Sequence, residues 1–476
     1  EKAAAKAAVM EAKSAAEGAS ARSVTEELLA GLRRKNKADD NELTAGAGAA
    51  PPKKETFVLE AGEELRLEVD HRPVTVTLET GFAEVFGAEI PRGESVKFVR
   101  TKLAVFSWKG GTVSVHGEPK GVYKSEMKEM KAYANVHGYL QERRCALRAS
   151  GVACPRGPRV MIVGPSDTGK SSLARVLLNY AVRQGERPML VDLDVSKARH
   201  TFVAGALGAC AVTDVICAGE SLVESRAPLA YYYGFRDCVH SPDLLRSLIK
   251  DLGQRLDDRD ESGKDPLGSS SGAIIDCFTY NAGAKDCYPL VVSSARMLKA
   301  DVILVMDMDK LLCDLQKEFS SDPSIKVVKL AKCGGVVAHD KSFAAGLEKE
   351  LVRDYFYGSL RELCPRPLEL SFDQVQIYRT APAPLAPKDA LSIGMDVPDK
   401  RTEVNKVKID GALENKLLAV AGHTPSDPNH LISMNIGGFV HVQKVDVLAH
   451  KITVLAPNGL PMPSTVLLQG NIEFIE

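Results

Sequence analysis

The chain has 476 residues, 45% of them hydrophobic, and its 61 basic residues nearly cancel its 62 acidic ones. That length argues for two or three domains, and the charge balance excludes a globally basic surface, leaving only a local basic path for any nucleic-acid partner. No apolar run approaches the ~20 residues that span a bilayer and no secretory signal is evident, so an intracellular protein without a membrane partner is expected.

Residues 1–55 are rich in Ala, Glu and Lys, from Ala3-Ala4-Ala5 through Ala45-Gly46-Ala47-Gly48 to Pro51-Pro52. Such a segment buries too little apolar area to offset its chain entropy and reads as a low-complexity tail, with a solvated helix over 11–32. Its cluster Arg33-Arg34-Lys35-Asn36-Lys37 reads either as a nuclear-import signal or as a solvated charge run.

From Thr56 the texture becomes period-two. Leu65-Arg66-Leu67-Glu68-Val69, Val74-Thr75-Val76-Thr77-Leu78, Val96-Lys97-Phe98-Val99, Leu103-Ala104-Val105-Phe106-Ser107-Trp108 and Val113-Ser114-Val115 are broken by Gly, Pro and Asp. This predicts a small antiparallel sandwich or barrel over 56–120. About 60 residues is marginal alone, so it is expected to pack on the domain C-terminal to it.

Residues 124–149 predict a charged helical connector. From Arg159 apolar strands alternate with helices, with strands expected at 160–163, 189–193, 273–276, 302–306 and 325–330; this pattern indicates a parallel sheet covered on both faces, within a central domain spanning 121–367. The polar stretch 252–272, with Ser269-Ser270-Ser271-Gly272, reads as a loop. A β-rich third domain is expected over 368–476, with strands near 375–378, 438–442 and 452–455. The fold class is α/β, a P-loop sheet domain between two β domains. The ten cysteines contain no pair at a two-residue gap, so they read as small buried apolar side chains in a reducing compartment.

Gly164-Pro165-Ser166-Asp167-Thr168-Gly169-Lys170-Ser171 fits the phosphate-loop pattern G-x-x-x-x-G-K-[ST]. Arg159–Val163 enters it as a strand, and a helix leaves it from Ser172. The glycines let successive N–H groups curl round phosphate oxygens, and the helix N-terminus adds partial positive charge. Gly164, Asp167, Thr168, Gly169, Lys170, Ser171 and Ser172 are the expected contacts to ATP or GTP phosphates. Lys170 is expected to reach the β- and γ-phosphates and the Ser171 hydroxyl to ligate Mg²⁺. Asp194, at the end of the second strand, is placed to orient Mg²⁺-bound water or to accept a proton; it reads alternatively as a helix N-cap. Asp192 falls on the opposite strand face and reads as structural.

The stretch Gly164–Asp194 resembles the eukaryotic polyribonucleotide 5′-hydroxyl kinase family that is also a subunit of the pre-mRNA 3′-end cleavage and polyadenylation factor. The likeness covers about residues 56–476. It includes Leu177-Leu178-Asn179-Tyr180-Ala181-Val182-Arg183, Gly334-Gly335-Val336-Val337 and Arg353-Asp354-Tyr355-Phe356-Tyr357-Gly358. Upstream it includes Ala83-Glu84-Val85-Phe86-Gly87 and Leu103-Ala104-Val105-Phe106-Ser107-Trp108. The resemblance implies three domains, ATP and Mg²⁺ as ligands, a nuclear location, and a scaffold subunit of the cleavage factor, RNA and the tRNA-splicing endonuclease as partners. It also implies that Glu64 and Lys102 hold the nucleotide base, although without it both are simply polar positions on half-exposed strands.

Three stretches depart from the family. Its active members carry Asp-x-Gly-Gln where this chain has Asp194-Val195-Ser196-Lys197. The family's arginine-rich lid is here Ala344-Ala345-Gly346-Leu347-Glu348-Lys349-Glu350-Leu351-Val352-Arg353, leaving Arg353 and a displaced Lys349, with Glu348 where a cation is expected. Its Thr-x-Gly-Trp-like turn is replaced by Asp276-Cys277-Phe278-Thr279-Tyr280, in which Phe278 or Tyr280 is left to stack a terminal base. Phosphoryl transfer relies on such cations, and losing one costs roughly 10³-fold or more. Nucleotide binding is therefore expected with weakened catalysis: an ATP-binding subunit of the 3′-end processing complex. The alternative is an active RNA 5′-hydroxyl kinase using Asp194 as base and Lys170 and Arg353 as charge stabilisers, including in tRNA splicing.

Overall fold

The computed structural model describes residues 54–475 apart from 71, 153–154, 197–202, 218–228, 337–340, 359–362, 383–401 and 458–461. The expected tail helix, the basic cluster Arg33–Lys37 and Lys197 lie outside the described residues. Residues 54–476 form one compact unit.

Nine strands build the N-terminal sandwich. One sheet orders Lys54–Leu59, Gly111–His116, Val74–Gly81 and Ser95–Phe98; the other orders Ala88–Glu89, Glu84–Val85, Thr101–Phe106, Glu63–Val69 and Gly121–Glu126. Period-two alternation places Leu65, Leu67, Val69, Val74, Val76, Leu78, Val105, Val113 and Val115 in its core. The alternate residues Glu64, Arg66 and Glu68 are thereby directed to the other face of their sheet.

The central sheet orders Leu229–Tyr232, Ala206–Ala211, Met189–Asp192, Ala273–Asp276, Arg159–Val163, Val302–Met306 and Lys326–Leu330. The last five are parallel, as the apolar runs require. Both faces are covered: Met161 and Val163 pack into one core, Val160 and Ile162 into the other. Two antiparallel strands, Ala206–Ala211 and Leu229–Tyr232, extend the sheet beyond expectation. The sequence Ala-Leu-Gly-Ala-Cys-Ala gives little β signal, because small residues are weak strand formers.

The expected loop over 252–272 is a correction. It holds the end of the helix Pro242–Glu261 and the short helix Pro266–Ser271. Leu244, Leu245, Leu248, Ile249, Leu252 and Leu256 form the buried stripe of the first. The polar residues that suggested a loop are internal partners. Asp257 and Asp260 each stand 2.8 Å from the buried Arg159 guanidinium. Ser269 accepts from Gly157 N–H, and Ser271 Oγ donates to Glu186.

The third sheet orders Arg366–Ser371, Lys451–Ala456, Ile436–Asp446, Lys416–Ala421, Val466–Glu473, Gln376–Pro382 and Thr402–Lys406. Only the Gln376–Pro382 and Val466–Glu473 pair among these described ladders is parallel.

The sandwich docks on the helix Lys170–Arg183. Glu84 accepts from the Tyr180 hydroxyl, from Trp108 Nε1 (3.3 Å) and from Arg183 (2.9 Å). Asn179 donates to Phe86 O at 2.9 Å. Gly87, at φ +80, leaves no room for a side chain: a Cβ there would lie 3.2 Å from Val176 O and 3.3 Å from Tyr180 Cδ1. Among the described residues no helix is long and apolar enough to cross a membrane. Cys210, Cys238, Cys277, Cys287 and Cys333 are buried as expected, whereas Cys145, Cys217, Cys313 and Cys364 are exposed.

Candidate nucleotide-binding site

The strand Arg159–Val163 delivers Gly164 into a loop that ends at the helix Lys170–Arg183. Two glycines are required by close approach. A Cβ on Gly164 would lie 2.9 Å from both Cβ and the carbonyl oxygen of Met306. Gly169 caps the helix at φ +91, where a Cβ would lie 3.0 Å from Val336. Asp167 adopts φ +54, the left-handed conformation a short polar residue tolerates.

Thr168 Oγ1 donates to Pro165 O at 3.0 Å, and Lys170 Nζ donates to Gly164 O and Pro165 O at 3.1 and 2.9 Å. Lys170 is thus folded across the cradle on backbone acceptors. Ser171 and Ser172 are half-buried in the first helical turn. Burial pushes the Cys277 thiol well up; Lys170 acts against this shift, while Asp276 and Asp194 add to it.

Asp194 is buried and turns the chain sharply. Its Oδ1 accepts Ser196 N–H at 3.1 Å and the Ser196 hydroxyl at 2.5 Å. Asp192 Oδ1 accepts Asp194 N–H at 3.0 Å, the structural role its strand face suggested. Ser196 is not among the described residues with positive φ, so its backbone needs no glycine-like conformation.

Glu64 and Lys102 share one face of the sandwich. Glu68 lies opposite Lys102 in register and pairs with it at 3.7 Å, while Glu64 lies four residues along, roughly 13 Å at strand rise. Glu64 is fully buried. Its Oε1 accepts from Arg66 Nε at 2.5 Å, whereas Oε2 has no hydrogen-bond partner. Burial raises its carboxyl pKa, with Arg66 acting the other way. An unmatched buried carboxylate oxygen is costly and fits a ligand amine.

Arg66 was missed by sequence reasoning, yet it joins the two halves. Its guanidinium lies against Gly334 and Gly335; a Cβ on Gly335 would meet Nε at 2.9 Å. Val336, next in chain, touches Gly169. The segment 333–336 therefore runs from the sandwich face to the phosphate loop, and its two glycines give Arg66 room. Strand periodicity from Glu64 to Arg66 carried the signal.

The lid stretch is the helix Lys341–Tyr357. Glu348, expected to leave negative charge where a cation belongs, is instead paired with Arg236 at 2.6 Å. Arg353 stands 3.7 Å from Glu350. Phe278 is a correction: it is 1% exposed within the core and cannot stack a base. Tyr280 is half-buried against the same core, its N–H donating to Gly164 O at 3.0 Å.

A P-loop sheet whose phosphate-loop helix carries a β-sandwich on its C-terminal half defines a nucleotide-binding protein of the kinase-like P-loop class. The family described as mRNA cleavage and polyadenylation factor CLP1 P-loop matches residues 164–358. The N-terminal beta-sandwich domain of polyadenylation factor matches 58–147, and pre-mRNA cleavage complex II protein Clp1 matches 363–476. The chain is 35% identical over 423 residues to Protein CLP1 homolog of Arabidopsis thaliana, covering 88% of this chain and 94% of that one. It is 33% identical over 443 residues to polyribonucleotide 5′-hydroxyl-kinase Clp1 of Xenopus tropicalis, covering 91% and 99%. The solved complex of wild-type Clp1p with Pcf11p shares the fold at TM-score 0.76 and 22% identity, over 90% of this chain and 100% of that one. A second Clp1p–Pcf11p structure, described in terms of ATP loss in a point mutant, gives 0.77. The chain belongs to the Clp1 family.

Proposed function

We propose that this chain is an ATP-binding subunit of the nuclear complex that cleaves and polyadenylates mRNA 3′ ends, with ATP held as a structural ligand between sandwich and P-loop domain. The observation that carries this reading is a chain of contacts from phosphate loop to sandwich: Gly169 meets Val336, the adjoining Gly334 and Gly335 meet Arg66, and Arg66 holds Glu64, whose Oε2 has no hydrogen-bond partner. Gly164, Asp167, Thr168, Gly169, Lys170, Ser171 and Ser172 would hold the phosphates; Glu64 and Lys102 would face the base. Mg²⁺ would take the Ser171 hydroxyl and Asp194, hard oxygen donors completed by phosphate and water. Bound ATP supplies negative charge to the cradle and stabilises the docked state by mass action. The docking partner is a scaffold subunit of the cleavage factor, a reading supported by the solved relatives being Clp1p–Pcf11p complexes.

The second reading, an RNA 5′-hydroxyl kinase with roles including tRNA splicing, is favoured by the Xenopus relative's name and by the retained Asp194 and Lys170. Against it stand a lid poor in arginine, in which Arg353 lies 3.7 Å from Glu350, and the core position of Phe278. One experiment divides the two. Purified chain is expected to retain ATP unhydrolysed and to transfer no label from γ-labelled ATP to a 5′-hydroxyl RNA oligonucleotide with Mg²⁺. Label transfer that disappears in both Lys170→Ala and Asp194→Ala would establish the kinase instead.

A further inference from the structure

We propose that Cys238 and Cys287 form a redox pair, a modification site at which hydrogen peroxide converts two core thiols of this chain into a reversible disulfide. The inference stands apart from the nucleotide reading above and uses side chains outside the phosphate cradle.

The two cysteines are remote in sequence but belong to one buried cluster, on the side of the central sheet that holds Met161 and Val163. Cys238 lies in the turn after the strand Leu229–Tyr232. Tyr233 fixes that turn: its hydroxyl donates to Asp237 O at 3.0 Å and accepts Ser241 N–H at 2.9 Å. Cys287 opens the helix Cys287–Met297. The Cys238 thiol donates to the Cys287 sulfur, which also accepts Asn281 N–H at 3.3 Å and lies 3.9 Å from Thr279 O.

The two sulfurs are unequal. Cys287 receives two hydrogen bonds and stands in the first turn of a helix, where free N–H groups favour a negative sulfur. The hydrogen bond from Cys238 foremost pulls its pKa below the ordinary thiol value; Asn281 and Lys170 add to this, against burial and Asp237. The same hydrogen bond, with burial, drives Cys238 the other way, and burial keeps the neighbouring Cys277 protonated. A thiolate beside a protonated thiol is the arrangement of an attacking and a resolving cysteine. Access selects the oxidant by size. Cys287 is 0% and Cys238 7% exposed, and only the turn 281–286, exposed except at Ala284, leads into Cys287 along the chain.

The chemistry closes on the pair. The Cys287 thiolate attacks one peroxide oxygen, the O–O bond breaks, and hydroxide leaves as water, giving a sulfenic acid. The Cys238 sulfur then attacks Cys287, the S–S bond forms as S–O breaks, and the second oxygen leaves as water with the Cys238 proton. Two thiols lose two electrons and one peroxide becomes two waters.

Trypsin separates the two cysteines, since cleavage after Arg236, Arg246, Lys285 and Arg296 leaves each in its own peptide. Full native chain would be treated with N-ethylmaleimide to block the exposed Cys145, Cys217, Cys313 and Cys364, then with hydrogen peroxide, and digested without reductant for mass spectrometry. A peptide joining Cys238 to Cys287 is expected, lost on adding dithiothreitol, at a yield at least about fivefold that of chain oxidised in guanidinium. Its rate of formation should be half-maximal below pH 9.0, the ordinary thiol value. Cys238→Ser and Cys238→Ala should each leave a sulfenic acid at Cys287 that dimedone traps. Free thiols at both positions after peroxide, separate oxidation without a joined peptide, or a yield no higher than in unfolded chain would overturn the pair. A dimedone adduct absent from Cys287 in both variants would overturn its role as the attacking sulfur.

Discussion

Arg183, in the last turn of the phosphate-loop helix, holds one oxygen of the buried Glu84 carboxylate at 2.9 Å, while Tyr180, one turn earlier, donates to the other. A single sandwich side chain is thus clamped by two residues of the helix whose N-terminus cradles phosphate. Glu84→Ala leaves the buried Tyr180 phenol short of its acceptor, while the exposed Arg183 keeps Gly87 O and Glu89, so a loss of about 1–3 kcal/mol is expected. Glu84→Gln should lose less. Denaturant midpoints for the two variants check this, and equal losses would show that packing rather than charge holds the junction.

The cradle glycines differ sharply from other glycines in what they tolerate. Gly164→Ala pushes Cβ against Met306 backbone, and Gly169→Ala is strained at φ +91. Each should weaken ATP by at least about tenfold, or 1.4 kcal/mol, in titration calorimetry. Gly138→Ala meets nothing within 4 Å on the helix Met130–Ala149. It should leave ATP affinity unchanged and raise stability by about 0.5–1 kcal/mol.

Burial of the Glu64 carboxylate works against stability. Its folded-state carboxyl pKa lies above the ordinary value because of burial, with Arg66 offsetting part of the shift. The native state therefore holds that proton more tightly than the unfolded chain. The penalty for ionised Glu64 sets in as pH rises above the unfolded value, about 4.5, and is complete above the folded one. Glu64→Gln should match or exceed the parent's stability at pH 7 without nucleotide, yet bind ATP less tightly. Thermal melts from pH 4.5 to 7, with and without ATP, test both halves; a variant less stable than the parent throughout would refute the assignment.

Glu186 has the opposite sign. Burial acts to raise its pKa, but hydrogen bonds from Arg148, Gln141 and Ser271 prevail and hold it below the ordinary carboxylate range. Its contribution is present above pH 4.5 and is lost as pH falls through the folded value. Glu186→Ala should cost about 3–5 kcal/mol, since it strands the fully buried Arg144 region beside Arg148 without a counter-charge. The acid limb of a pH–stability profile should also flatten in the variant.

Much of the fold was legible because its physics is local. The parallel strands announce themselves as unbroken apolar runs, and the phosphate loop is a fixed spacing of residues with fixed jobs. What escaped was long-range. Asp257 and Asp260 read as loop residues because nothing near them in sequence reveals that Arg159, about a hundred positions earlier, lies buried between them. Glu348 suggested a stray negative charge because Arg236 is equally remote. Phe278 suggested a stacking surface, since an aromatic near a strand end shows its chemistry but not which side of the sheet it enters. Conversely, two stretches that carried the family resemblance separately, Ala83–Gly87 and Leu177–Arg183, meet in space as the two sides of one contact.

That contact has a practical consequence. The chain contains one tryptophan, Trp108, and its indole N–H reaches both Glu84 and Tyr180. Tryptophan emission from this protein, excited selectively, thus originates at a single seam, with a tyrosine hydroxyl and a carboxylate against the fluorophore. Parting of the sandwich from the helix would shift and quench that emission without any label, well before the sheets themselves melt. The molecule carries its own optical gauge of interdomain closure.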